Sequence, residues 1–473
     1  QLFEQLAEFS ARDKASGYVA ADILALYAEM GAERNEVEKD YDQLAERVKE
    51  AKGNFPKLRT ILVDTAPYHN GGANAVQELA IAAATAVCHI EQLKKRGLAV
   101  DDIIGNIVFQ FSIGSNFFME LAKLRAARMI WSKIAEAYGA NEENRKMIIS
   151  AVTSSFTKTV YDPYVNLLRS GNEAFAAVLG SVQYLHVSPH NEPEGMSTEF
   201  SDRIARNIQL ILKEEAHLTK TVDPAGGSWY IEALTEQLSQ KGWDLFLEIE
   251  DKGGMFEVLK QGWIQQEIAS VMEKREHDVF VRKQTIVGTN KYANLQDEPL
   301  NVDIGSEEGK TEWFIAPVRK RRLSEPFEQL RARAEKLAGE GKKPAVGLIT
   351  LGKLRDHNAR KDFMAGFLSP GGISVKESGE IFEAEEAINF IDKVKLNYFC
   401  ICGSNKQYEE SGLQLAEKIK GKFPHIRLYL AGIPDGEKEK WLNAGIDEFI
   451  HVKSNCYELL SSILAEMEVA END

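Results

Sequence analysis

Two short stretches hold residues whose types and spacing could do chemistry. In "GLITLGKLRDHNARKDF" (347–363) an apolar run leads into a polar segment with Asp356 and His357. A carboxylate next to a histidine at the end of a strand can orient an imidazole nitrogen toward a metal. In "PYHNGGA" (67–73) the pair Tyr68-His69 follows another apolar run. Cys400 and Cys402 lie one residue apart on an expected strand, so they share a face and read as core rather than as a metal site.

The elements that must position these residues fall into three regions. Over 1–285, "RTILVDTAPY" (59–68), "NIVFQFSIG" (106–114), "MIISAVTSS" (147–155) and "VQYLHVSP" (182–189) read as buried strands, with helical stretches such as 74–96 and 116–138 between them. That alternation implies a parallel sheet, and its separations suit a β/α barrel with ligands at the C-terminal strand ends. Only four or five strands are visible where a closed barrel needs eight, so the front of the barrel is expected to lie outside this sequence or the sheet to be open. The chain begins at Gln1 within an amphipathic pattern, which places the expected true start upstream.

Residues 286–343 are polar and turn-rich and read as a surface linker, whose Arg/Lys run 319–322 reads as a solvated or interface patch. Residues 344–473 contain five strand-helix units, "PAVGLIT", "GGISVKES", "NYFCICGS", "IRLYLAG" and "DEFIHVK", the pattern of a flavodoxin-like, doubly wound sheet. Any ligand would then lie beyond the strand ends, where Asp356 and His357 sit.

Composition narrows the classes. With 473 residues, 44% hydrophobic, 27% charged and a net charge of −15, the chain is an ordinary multi-domain protein and a poor nucleic-acid binder. Four cysteines are no disulfide framework, and no apolar run reaches membrane-spanning length. The expected compartment is the cytoplasm.

The most specific stretch is "RIARNIQLILKEEAHLTKTVDPAGGSWYIEALT" (203–235), an amphipathic helix followed by a Pro-Gly-Gly turn in which Gly226 and Gly227 are expected to need positive φ or close approach. Together with "FFMELAKLRAARMIW" (117–131), "DPYVNLLRSGNEAFAAVLGS" (162–181), "EIEDKGGM" (248–255) and "KYANL" (291–295), it resembles the methylmalonyl-CoA mutase family over nearly the whole chain. The resemblance implies an α/β protein with a TIM-type, coenzyme A-binding barrel and a C-terminal flavodoxin-like domain of the cobalamin-binding type. It also implies a radical rearrangement between methylmalonyl-CoA and succinyl-CoA that starts from adenosylcobalamin.

Members that bind cobalamin ligate cobalt through the His of Asp-x-His-x-x-Gly, and here the motif is degenerate. With Asp356 as its Asp, Asn358 holds the ligand position and Lys361 the Gly position. With His357 as ligand, Arg355 and Arg360 hold the other two. The family's Ser-x-Leu reads Ser404-Asn405-Lys406, and its Gly-Gly reads Ala431-Gly432. In the barrel, counting back from Asp162-Pro163-Tyr164 puts Ser150 and Val152 at the His and Gln positions of His-x-Gln-Thr-Ser-Gly. Tyr68-His69 is retained where the catalytic subunits carry a Tyr-His whose His acts near the substrate carbonyl, and its role here is expected to be vestigial or structural because no polar partner converges on it.

This pattern is most similar to the small, non-catalytic subunit of heterodimeric bacterial members. The expected partner is a homologous catalytic large subunit that carries the adenosylcobalamin and takes the acyl-CoA, with no cofactor and no metal on this chain. Two other readings remain open at this point: an active acyl-CoA mutase with unusual cobalamin ligation, and a cobalamin-free coenzyme A-binding regulatory protein. Corrinoid colour retained by the pure chain would favour the first of these, and co-purification with a homologous chain would favour neither.

Overall fold

The computed structural model describes residues 15–302, 312–433 and 438–469. The expected helix at the extreme N-terminus lies outside them. Two compact units form. The first takes the described residues of 1–158, 163–274 and 300–323, and the second those of 159–162, 275–299 and 324–473.

The first unit is built on a five-stranded, all-parallel sheet in the sequential order β1 (Gly17–Ala21), β2 (Leu58–Asp64), β3 (Ile107–Ile113), β4 (Ile149–Thr153) and β5 (Tyr184–His186). Helices cover the sheet, which explains why "IVFQFSI" is buried at six of its seven positions: a parallel strand covered on both faces needs a continuous apolar run. Those used below are α1 (Ile23–Met30), α2 (Ala66–Asn70), α3 (Ala75–Lys95), α4 (Phe117–Ala137) and α5 (Glu199–Leu210). The Asn74 side chain accepts from Gln77 N at 3.0 Å while Gln77 returns a bond to Asn74 N, so a capping box starts α3.

The second unit holds another all-parallel sheet, in the order β10 (Glu448–Ile450), β9 (Arg427–Ala431), β8 (Tyr398–Cys402), β6 (Ala345–Leu351), β7 (Ser374–Ile381). The helices α6 (Glu325–Gly339) and α7 (Leu354–Leu368) belong to this unit. Cys400 and Cys402 are fully buried in β8, as expected of core residues.

Several expectations are corrected. β1 is not among the expected strands, and residues 66–68, expected to end a strand, lie in α2, because Pro67 starts a helix readily and cannot extend a central strand. The helix expected over 203–215 begins at Glu199 under a Thr198 cap and passes at Ile211–Glu215 into a π-helical turn. Gly227 has φ +81°, whereas Gly226 does not have positive φ: an added Cβ there would lie 2.8 Å from an Asp223 carboxylate oxygen, so close approach is its constraint. Of the segment 286–343, Ile315 and Val318 are buried in the first unit's core, and in the Arg/Lys run Arg322 is buried rather than solvated. Among the described residues no helix is long and apolar enough to cross a membrane.

Candidate functional site

At the C-terminal edge of the first sheet, α2 turns His69 inward from the end of β2. His69 Nδ1 lies 2.9 Å from Glu78 Oε1 on α3, and its Nε2 lies 2.7 Å from Ser154 Oγ just beyond β4. Thr65 also donates to Glu78 at 3.2 Å. Lys123 of α4 donates to both Glu78 oxygens at 3.1 and 3.0 Å and to the Ser112 carbonyl at 2.7 Å, and it pairs with Glu120 at 2.6 Å. Behind Ser154, Glu173 accepts from its backbone N–H at 3.2 Å and from Lys158 at 2.9 Å.

The whole chain of groups is dry. Ser154 and Lys123 are 0% exposed, Glu78 1% and His69 4%. Burial alone would push the Glu78 carboxyl up, but Lys123 and His69 outweigh it and hold it below the ordinary range. Burial likewise opposes the charge on Lys123, and Glu120 and Glu78 outweigh it, keeping the ammonium above its usual value. Glu173 goes the other way: burial raises it despite Lys158.

A serine, a histidine and a carboxylate in hydrogen-bonded series form the arrangement of a nucleophile, its base and an orienting acid. Two features oppose that use here. The serine hydroxyl faces no solvent, and the Ser154 backbone N–H, a natural oxyanion donor, is already taken by Ile113 O and Glu173. The series links the ends of β2, β3 and β4 through these bonds.

A strap covers that edge. Residues 313–323 run across the strand-end loops: Phe314 and Ile315 N–H donate to Ala32 O, Val318 N–H to Ala28 O at 2.6 Å, Arg321 N–H to Asn70 O at 2.9 Å, and Leu323 N–H to Phe156 O at 3.1 Å. Gly71 has no room for a Cβ because Val318 of the strap presses on it.

The expectation that no polar group converges on His69 is thus corrected. Ser150 and Val152 are not its neighbours, since Ser150 bonds Tyr18 at 3.0 Å, but Ser154 and Glu78 are. The register that assigned Ser150 and Val152 also puts Ser154 at the Ser position of the family motif, and this signal was available in the sequence. Tyr68 diverges from His69. It is fully buried, and its hydroxyl reaches only the Leu24 carbonyl, at 3.5 Å.

In the second unit, the segment expected to be a loop is the first turn of α7. Asp356 folds back to accept from Lys353 N at 3.2 Å and so caps the helix. His357 is 4% exposed, and its buried Nδ1 has no protein hydrogen-bond partner. Asn358 donates to Asp362 one turn on, at 2.9 Å. Ser404 Oγ accepts from Gln407 N at 3.3 Å and serves as a helix cap.

Arg360 lies among these elements. Its guanidinium lies 4.5 Å from the Tyr408 ring centroid and donates to Gly403 O and to the Asn405 side chain. Gly432, at φ +97°, passes so close that an added Cβ would lie 3.0 Å from Arg360 Nε. Beneath it the Tyr408 hydroxyl bonds Ile401 O at 3.0 Å and Ala431 O at 2.8 Å, joining β8 to β9. Among the described residues, no group of three or more His, Cys, Asp or Glu could hold a metal ion.

Comparison with known proteins places this geometry. A family model described as methylmalonyl-CoA mutase matches residues 6–346. A "Methylmalonyl-CoA mutase small subunit" of Porphyromonas gingivalis is 33% identical over 427 residues, 89% of this chain and 68% of that protein. Its namesake from Streptomyces virginiae is 32% identical over 464 residues, 97% of this chain and 72% of the relative. A "Methylmalonyl-CoA mutase" of Rhizobium meliloti is 35% identical over 335 residues, 70% of this chain and 47% of its own length.

Proposed function

The chain belongs to the methylmalonyl-CoA mutase family, a family of isomerases, and we propose that it is the small subunit of a heterodimeric member. In this reading it docks on a homologous catalytic large subunit in the cytoplasm, stabilises it and turns nothing over itself. The complex interconverts methylmalonyl-CoA and succinyl-CoA, and adenosylcobalamin bound by the partner supplies the radical chemistry. We read the sequentially ordered sheet as part of a TIM-type β/α barrel spanning 1–285. Residues 286–343 connect the two regions in sequence, with Ile315 and Val318 packed into the first unit's core. The order of the second sheet, 2-1-3-4-5 in its own numbering, suits a flavodoxin-like domain over 344–473.

The observation that carries the non-catalytic part is the arginine at the strand ends. A corrin cofactor needs an exposed imidazole and an open cleft there. Here His357, the histidine at the motif, is 4% exposed on a helix, and Arg360 is stacked and hydrogen-bonded at those strand ends. These residues do not fit cobalamin. On the barrel side, Tyr68 and His69 are buried, and the strap closes over them.

The test is co-expression with a homologous chain carrying an intact Asp-x-His-x-x-Gly, followed by gel filtration with adenosylcobalamin. We expect a heterodimer whose corrinoid absorbance is lost when the partner's motif histidine is replaced. Corrinoid retained by the chain alone would overturn the proposal.

A further inference from the structure

The second unit contains a cleft that this reading does not use. It has a volume of about 730 Å³ and opens between the loop 282–296 and the outer side of α7. That volume is within the range of small-molecule sites, roughly 300–1,000 Å³. The loop includes "KYANL", one of the stretches that carry the family resemblance.

The loop is built with care. Asn290 is fully buried, and its side chain accepts from Ile286 N at 2.8 Å while donating to Gln284 O at 2.8 Å and Val279 O at 3.0 Å. Around this knot the chain takes two conformations that L-residues avoid: Arg282 at φ +59° and Tyr292 at φ +58°. Such strain persists only where the surrounding structure holds it, and residues of this kind gather at ligand sites. Both line the cleft.

What they present is specific. Arg282 lays its guanidinium 5.8 Å from the Phe367 ring centroid, and its buried Nε has no protein hydrogen-bond partner. Lys291 also lines the cleft. Tyr292 is 79% exposed, and Phe363 lines the opposite wall. Asn294 adds an amide to the lining. The lining also holds one carboxylate, Asp362, which accepts from Asn358 at 2.9 Å and lies 3.6 Å from Lys361. Two cations and two aromatic faces beside that one paired acid, on a chain of net charge −15, mark a local site for an anion that carries a ring.

We propose that this cleft binds a mononucleotide, with its phosphates held by Arg282 and Lys291 and its base against Tyr292 and Phe363. Base-aromatic stacking tolerates any base, so phosphate and ring are the features recognised. The site is independent of the subunit assignment and stands or falls by itself.

The experiment is isothermal titration of the full chain with ADP, with inorganic phosphate and adenosine titrated separately. ADP should saturate with Kd below about 1 mM, and each fragment should bind at least about tenfold more weakly. Lys291→Glu, a substitution at a partly exposed residue outside the core, should weaken ADP at least about tenfold. Tyr292→Ala should weaken it at least about fivefold. Circular dichroism checks that both variants fold. No saturable heat up to about 5 mM ADP would overturn the proposal, as would wild-type affinity in both variants, because the nucleotide would then lie elsewhere.

Discussion

Replacing Lys123 with methionine keeps most of the side-chain volume and removes the ammonium. The change strips the cation from between Glu78 at 3.0 Å and Glu120 at 2.6 Å, and it takes the donor from Ser112 O. Removing one partner of a buried pair costs about 3–5 kcal/mol, because the remaining charge is left in a dry site. His69, 2.9 Å from Glu78, still offers that carboxylate a neighbour, so the expected loss is about 3–4 kcal/mol near pH 7.5. The pH dependence sharpens the test. In the native chain Glu78 is held below the ordinary carboxyl value, so its contribution is present above that value and fades as pH falls through the lowered one. In Lys123→Met the burial stays and the main opposing cation is gone, so the folded-state Glu78 carboxyl rises above its unfolded value. Its penalty is then largest at neutral pH and shrinks on acidification, by up to about 1.4 kcal/mol per pH unit as it protonates. Urea unfolding followed by circular dichroism, at about pH 7.5 and pH 5, reads both quantities. A loss below about 1 kcal/mol, or one of equal size at the two pH values, would refute the idea that this network is a buried charge device.

Arg360→Ala should destabilise the second unit by about 1–3 kcal/mol, through the lost stacking on Tyr408 and the unpaired Gly403 carbonyl, without creating corrinoid binding. Denaturant titration and difference spectroscopy check the two halves of that statement. Asp64, pushed up to about 6 by burial, takes its proton more readily folded than unfolded, so it lowers stability as pH rises from about 4 to 6. Asp64→Asn keeps the acceptor for Ala66 N and should gain about 1–3 kcal/mol near pH 8, with the gain gone near pH 4 in thermal melts. Gly227→Val should cost about 1–3 kcal/mol through its φ of +81°, since an added Cβ there meets open space and strain alone acts. An unchanged melting temperature would show that the turn relaxes.

The parallel strands were legible because burial on both faces leaves a continuous apolar run: "AVGLITL" and "YFCIC" are buried at every position. β1, "GYVAA", was not, since a half-buried strand of small residues lacks that mark. The first turns of α7 misled for the opposite reason. Leu354 through Phe363 carries few apolar residues, and the helix commits to the core mainly from Met364 onward, with His357 alone buried before it. The convergence on His69 could not be read from local spacing, as Ser154 lies 85 residues away and Lys123 meets Glu78 across 45. Only the register of a family motif carried that information. Arg360 was visible as a wrong residue at a glycine position, but its stacking on Tyr408 needed coordinates.

The strap over the first sheet also has a consequence for synthesis. The carbonyls of Ala28, Asn70 and Phe156 await donors that arrive with Val318, Arg321 and Leu323. At about 5–20 residues per second, the interval between Phe156 and Leu323 leaving the ribosome's catalytic centre is roughly ten to thirty seconds. For that time the strand ends near His69 are uncovered, and water or a chaperone can reach groups that the finished protein keeps dry. A premature stop before residue 313 would leave them so permanently. The clearance of truncated chains would then depend on a surface the full-length protein never shows.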